Sequence, residues 1–207
     1  MMPVKLKICG LKRHEDAEFL NEFKPDFAGF VFAGTKRKID FETAKALREI
    51  LDPEIRTVGV FVNAEIDFIR RLADERVIDF VQLHGDEDND YIGKLREVCN
   101  LPIIKAQRIA SREDIRHYDS DYYLFDTKRT GEYGGTGESF DWSVLSGIEK
   151  PFFLAGGINL GNLDEALRVA GEKSAFALDI SSGVETDGFK DKQKIQETVR
   201  RVRNYEH

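Results

Sequence analysis

Cysteine is scarce in this chain: two thiols, Cys9 and Cys99, in 207 residues. That scarcity excludes a disulfide scaffold, and the two positions match no metal-ligand spacing, so no metal is expected. Long apolar runs are missing too. No stretch approaches the ~18–20 residues of a membrane span. The segment from Met1 to Lys12 alternates in polarity, without an apolar stretch ahead of a small-residue cleavage site. No membrane contact and a cytoplasmic location are the expectation. Positive charge is in deficit, with 31 Lys and Arg against 38 Asp and Glu and a net charge of −7. Nothing builds the basic stripe that nucleic acid requires, which still leaves room for a local anion site. Low-complexity segments and linkers are absent. With 41% hydrophobic and 33% charged residues spread along the chain, disorder and fibrous architectures are excluded. The length fits one domain, residues 1–207.

What is present is a regular alternation of β-rich runs with helical periods, the pattern of βαβ units around a parallel sheet. Strands are expected at Val4–Cys9, Asp26–Phe32, Thr57–Val62, Asp79–Leu83, Ile103–Ala106, Tyr122–Asp126, Phe152–Ala155 and Ser174–Asp179. Leu163, Ala166, Leu167 and Ala170 keep helical spacing, as do Ile195, Val199 and Val202, and Asp40 and Asn159 sit at N-cap positions. About eight such units allow a closed (β/α)8 barrel or an open doubly wound sheet. The first strand runs into Cys9-Gly10-Leu11-Lys12 with no further glycine, which lacks the dinucleotide fingerprint of the open sheet. Polar residues also gather at strand ends: Lys7 and Cys9, Gln82 and His84, Asp126, and Asp179. That is the face where barrels build active sites. The expected fold is α/β, a compact single-domain (β/α)8 TIM barrel.

Period-two alternation in the first strand sends Lys5, Lys7 and Cys9 to one face and Val4, Leu6 and Ile8 to the helices. Cys9 then reads either as a thiolate favoured by a nearby ammonium or as a small buried hydrophobe. Asp126 closes an apolar strand. It reads as a general acid whose pKa is raised at an apolar rim, or as a cap or loop carboxylate. The loop Thr127–Ser139 carries four glycines and is a lid or simply flexible. Its Gly-Gly-Thr-Gly is no phosphate loop, because no Lys-Ser/Thr follows.

Strand seven ends in Ala155-Gly156-Gly157-Ile158-Asn159 and strand eight in Asp179-Ile180-Ser181-Ser182-Gly183-Val184. Each could be a mere turn. Their coincidence on adjacent tips points to a phosphate site built from Gly156, Gly157, Ser181, Ser182 and Gly183, at the start of a short extra helix. Lys36, Arg37 and Lys38 form either a solvated surface or a clamp in which Arg37 grips a carboxylate.

In their order along the chain, Lys7–Gly10, Val58–Asn63, Val81–Gly85, Asp126 with the Tyr-Gly-Gly-Thr-Gly after it, Phe140–Trp142, Ala155–Asn159 and Asp179–Glu185 resemble phosphoribosylanthranilate isomerases, the barrels of the tryptophan pathway. The segment Phe32–Arg37 departs from the family, whose members often carry a proline, a serine and one more residue there. The resemblance implies an Amadori rearrangement of N-(5′-phosphoribosyl)anthranilate, with no cofactor. It makes the residue matching Asp126 the general acid at the furanose oxygen and that matching Cys9 the base at C2′. It places the anthranilate moiety on Arg37 and the phosphate on the backbone of Gly156, Gly157, Ser182 and Gly183. Lys7, Gln82, His84 and Asp179 complete the expected substrate-binding set. The expected partner is a small phosphorylated substrate, and the chain is expected as monomer or homodimer. Two alternatives are the related isomerase of histidine synthesis, which uses two aspartates and so fits Cys9 poorly, and an idle phosphate-ligand binder, which would have lost Cys9 or Asp126.

Overall fold

The computed structural model describes residues 4–127 and 142–205. Eight parallel strands close into a barrel in chain order: β1 (Lys5–Cys9), β2 (Phe27–Val31), β3 (Arg56–Phe61), β4 (Phe80–Leu83), β5 (Ile103–Ile109), β6 (Tyr122–Thr127), β7 (Phe152–Ala155) and β8 (Ala177–Ile180). Closure is made by β1 against β8, with Lys7 in register with Asp179. All eight strands fall where the sequence places them. Observed β8 starts at Ala177, because Ser174 is in a positive-φ turn, and β5 runs on to Ile109.

Among the described residues six α-helices pack outside: α1 (His14–Phe23), α2 (Phe41–Ile50), α3 (Ile66–Asp74), α4 (Asn89–Val98), α5 (Leu163–Glu172) and α6 (Lys192–Arg203). The expected apolar stripes are the buried ones, Leu163, Ala166, Leu167 and Ala170 on α5 and Ile195, Val199 and Val202 on α6. Asp40 caps α2 by accepting from the Thr43 N–H at 2.8 Å. Asn159 does not cap α5. The N-cap is Asn162, and the Asn159 side chain instead turns the preceding loop by accepting from the Gly161 N–H at 2.8 Å. Not every unit keeps an α-helix. Between β5 and β6 there is one 3-10 turn, Arg112–Asp114, and the described part before β7 holds another, Trp142–Leu145. The expected lid, Thr127–Ser139, lies almost entirely outside the described residues.

Strand alternation separates two cores. Ala28, Phe30, Leu83, Leu154, Leu178 and Ile180 face the helices. Inside the barrel, Phe27, Phe80 and Phe153 form an aromatic floor with half-buried Tyr122 and Phe176. Phe27 meets Phe80 edge-on at 5.4 Å and Phe153 at 5.6 Å, contacts worth about 0.5–1.5 kcal/mol each beyond the area they bury. Lys5 shares the inward face, its ammonium over the Phe27 and Phe176 rings, but is not buried. It lies at the N-terminal end of the barrel and is exposed, its ammonium 4.6 Å from the Phe176 ring centre. Among the described residues this aromatic cluster fills the N-terminal part of the barrel interior.

Candidate active site

Cys9 is the last residue of β1 and stands beside Gly29 of β2 in the register. A Cβ on Gly29 would lie 2.7 Å from the Cys9 Sγ, so the missing side chain is what gives the thiol its room. One turn of the pleat below, Lys7 is fully buried and its Nζ donates to both Asp179 oxygens, at 3.0 and 2.9 Å. Burial works against the Lys7 ammonium, but Asp179 and then Cys9 hold its pKa above the ordinary lysine value. For Cys9 burial wins. It pushes the thiol up, and the Lys7 and Lys190 ammoniums do not offset it. Of the two readings of Cys9, the buried, protonated thiol is the resting form, because desolvation, with Asp179 adding to it, outweighs the two nearby cations.

The mouth beside Cys9 is crossed by a charged network. Arg37 donates from Nε and Nη2 to the two Glu185 oxygens, at 2.8 and 2.7 Å, while Lys190 donates to Glu185 at 2.7 Å and to the Ser181 carbonyl at 3.1 Å. Glu185 pays for burial but is held down to about 2 by these partners. Burial pushes the Lys190 ammonium down. The stem of Arg37 packs against Gly10, where a Cβ would come within 2.5 Å of Arg37 Cδ. Arg37 thus sits at the rim as expected, with its fork already engaged by a carboxylate of the protein.

On the far side, Gln82 and His84 project from the end of β4. The Gln82 Nε2 lies 2.9 Å from His84 Nδ1, and the His84 Nε2 lies 3.5 Å from Asp126 Oδ2 at the end of β6. The His84 backbone N–H donates to the Phe61 carbonyl at 2.8 Å. Behind it a fully buried pair, Lys105 and Glu87 at 2.8 Å, grips Gly85 from both sides: Lys105 donates to its carbonyl and Glu87 accepts from its N–H.

The tips of β7 and β8 meet as expected, but not through a helix. Gly156 and Gly157 turn the chain with φ of 99° and 65°. Asn159 bridges to Gly183, and a Cβ on Gly183 would overlap the Ile158 carbonyl. Between β8 and α6 the chain forms a hairpin, β9 (Glu185–Thr186) with β10 (Phe189–Lys190), rather than a short helix. The hairpin places Glu185 and Lys190 side by side as a cross-strand pair. Ser181 does not offer its hydroxyl to the mouth, because Oγ donates to the Cys9 carbonyl at 2.9 Å. Ser182 is exposed at the rim.

Residues 6–201 match the family model described as N-(5′phosphoribosyl)anthranilate (PRA) isomerase. The chain belongs to the phosphoribosylanthranilate isomerase family. It is 52% identical over 200 residues to N-(5′-phosphoribosyl)anthranilate isomerase of Endomicrobium trichonymphae, covering 97% of this chain and 98% of that one. The phosphoribosyl anthranilate isomerase of Thermotoga maritima superposes with a TM-score of 0.84 at 36% identity, over 98% of this chain and 100% of the other. A further isomerase of the family, solved in complex with reduced 1-(o-carboxyphenylamino)-1-deoxyribulose 5-phosphate, superposes at 0.81 with 33% identity over 98% and 100%.

Within this family barrel every expected site residue lies at the strand-end mouth or directly beneath it. Sequence reading did not find Gly29 or Lys190, and it saw Glu185 only as part of a motif. Alternation along β2 puts Gly29 on the interior face, a signal that was available. The Glu185 contact to Arg37 joins residues 148 positions apart, and no spacing rule reaches that far. Among the described residues no cluster of His, Cys, Asp and Glu could hold a metal ion, and no helix is long and apolar enough to cross a membrane.

Proposed function

We infer that this chain catalyses the family reaction, the isomerisation of N-(5′-phosphoribosyl)anthranilate to 1-(2-carboxyphenylamino)-1-deoxyribulose 5-phosphate in tryptophan biosynthesis. The observation that carries the assignment of roles is that β1 and β6 deliver one thiol and one carboxylic acid group to a single barrel mouth. Aldose-to-ketose conversion needs that pairing: one proton donated to the ring oxygen, one removed from C2′. Asp126 gives its proton to the furanose oxygen as the C1′–O bond breaks and the anilino nitrogen forms the imine. The Cys9 thiolate takes the C2′ proton, and the electron pair moves through C1′ to the nitrogen, leaving an enolamine that tautomerises to the ketone. Substrate and product are isomers, so no external oxidant or reductant enters the balance.

Lys7 and Asp179 form the charged base of the pocket under Cys9. The substrate phosphate lies on the backbone of Gly156, Gly157, Ser182 and Gly183 beside the start of α5, and Ser181 serves indirectly, by fixing the Cys9 carbonyl. The anthranilate carboxylate meets Arg37, which Glu185 holds at the rim. A cytoplasmic location accords with two unpaired, buried cysteines. One related structure is described as mutually generated monomers of the dimeric T. maritima isomerase; for this chain we keep monomer or homodimer, to be decided by sedimentation. The purified protein should consume N-(5′-phosphoribosyl)anthranilate above its spontaneous breakdown without added metal or cofactor. Cys9→Ala and Asp126→Asn should each lower kcat by roughly 10²–10⁴ while substrate still binds. Breakdown at the spontaneous rate would overturn the function, and near-normal turnover in one variant would remove that residue from the mechanism.

A further inference from the structure

The Gln82 side chain is almost fully buried, and its Oε1 has no hydrogen-bond partner among the described residues, although its Nε2 faces His84. A buried amide oxygen left unpaired costs free energy of the order of 1–3 kcal/mol. Turned over, Gln82 would place Oε1 on His84 Nδ1 and accept from it. The two orientations differ in one respect that reaches the reaction. As observed, Nδ1 accepts from Gln82, so neutral His84 carries its proton on Nε2 and directs an N–H at the Asp126 carboxylate. With the amide reversed the proton sits on Nδ1, and the Nε2 lone pair faces Asp126, ready to accept from its carboxylic acid.

We propose that Gln82 and His84 are positioning residues that hold Asp126 in both of its protonation states, the amide turning over as the His84 proton changes nitrogen. This rests on Asp126 as the general acid. A donor that must be a carboxylic acid before ring opening and a carboxylate after it needs a neighbour that can accept in one state and donate in the other. A fixed lysine or a backbone N–H cannot do so. The surroundings leave the ring little other freedom. The Phe61 carbonyl holds the His84 backbone, and the Lys105–Glu87 pair clamps Gly85 next to it. The 3.5 Å gap to Asp126 is longer than a hydrogen bond, as is common before substrate tightens a site. Protons exchange with water at the mouth, where His84 is 20% exposed.

The test combines histidine 15N NMR with steady-state kinetics. In the wild-type protein neutral His84 should carry its proton on Nε2 wherever the Asp126 carboxyl 13C shift reads as carboxylate, and on Nδ1 where it reads as the acid. In Gln82→Glu the new carboxylate accepts from Nδ1–H and should move the proton there, freezing the pair in one state. That variant should lose roughly 10- to 100-fold in kcat, less than loss of the acid itself, with KM within about threefold. Gln82→Leu, which removes the amide while filling its volume, should fall in kcat in the same way. An Nδ1–H tautomer beside an ionised Asp126 in the wild type overturns the proposal even if neither variant folds. So does a kcat within threefold of wild type in folded Gln82→Glu. If Asp126→Asn is inactive while Gln82→Glu is not, only this proposal fails. If Asp126→Asn keeps its turnover, the general-acid reading fails first.

Discussion

At the scale of single residues, the proposed chemistry turns on a thiol that its surroundings make a poor acid. In the proposed role Cys9 must be a thiolate to take the C2′ proton, yet burial lifts its pKa above the ordinary value of 9.0, and two ammoniums do not undo this. The sign follows directly. Below that pKa the free protein holds the base in its protonated form, so each unit of falling pH removes active thiolate. The rate at which iodoacetamide alkylates Cys9 should therefore climb through neutrality and go on rising toward and beyond pH 9, rather than reaching a plateau near pH 7. Alkylation of a Cys99→Ser variant across that range checks it, and a rate already flat between pH 7 and 9 would contradict a thiol held protonated by burial. Lys7 and Cys9 were legible in the sequence because strand alternation sends them to one face, and Asp126 and Asp179 because each is a polar residue closing an apolar strand at its carboxyl end. The state of the thiol was not, since it depends on how much water the fold removes. Arg37 was legible as a rim cation; Glu185 in its fork was not, because that contact depends on a hairpin turn far along the chain.

At the scale of elements, the strands were readable and the connections were not. A strand announces itself by a run of apolar residues such as Tyr122–Phe125, whereas a βα loop takes its shape from what it packs against. The loop after β8 was expected to begin a helix and forms the β9–β10 hairpin instead, and Asn159 was expected to cap α5 and turns the loop before it. One residue fixes how the loops after β7 and β8, proposed to hold the phosphate, approach. Gly183 lies so near the Ile158 carbonyl that any Cβ overlaps it, and the Asn159–Gly183 bridge cannot survive a side chain there. Gly183→Ala should destabilise the fold by about 1–3 kcal/mol, the usual cost of overpacking. By parting the loops it should also raise KM while changing kcat much less. Thermal unfolding and steady-state kinetics on one preparation separate the two effects, and an unchanged KM would detach Gly183 from the phosphate site.

At the scale of the whole molecule, the question is how a short barrel with a net charge of −7 keeps charges inside itself. Among the described residues three lysines are buried, Lys7, Lys105 and Lys190, and each has its own carboxylate: Asp179 across the β1–β8 seam, Glu87 beside β4 and β5, and Glu185 on the hairpin. Removing one member of such a pair strands the other in low dielectric, so the protein depends on these carboxylates staying ionised. Glu185 shows the consequence most plainly. Its pKa is 4.5 without partners and about 2 in the fold, so the native state binds this proton less readily than the unfolded chain. The resulting stabilisation is fully present above pH 4.5 and disappears as pH falls through about 2. The shift corresponds to about 3 kcal/mol at 1.36 kcal/mol per unit, and Lys190, pushed down by the same burial, returns part of it. Denaturant unfolding of the wild type should therefore weaken steadily between pH 4.5 and 2. Glu185→Gln should be less stable at pH 7, because Lys190 and Arg37 lose their carboxylate, and its stability should fall less steeply across the same acid window. Parallel acid limbs in the two proteins would mean that the hairpin network contributes nothing to acid sensitivity, leaving the loss to the other carboxylates.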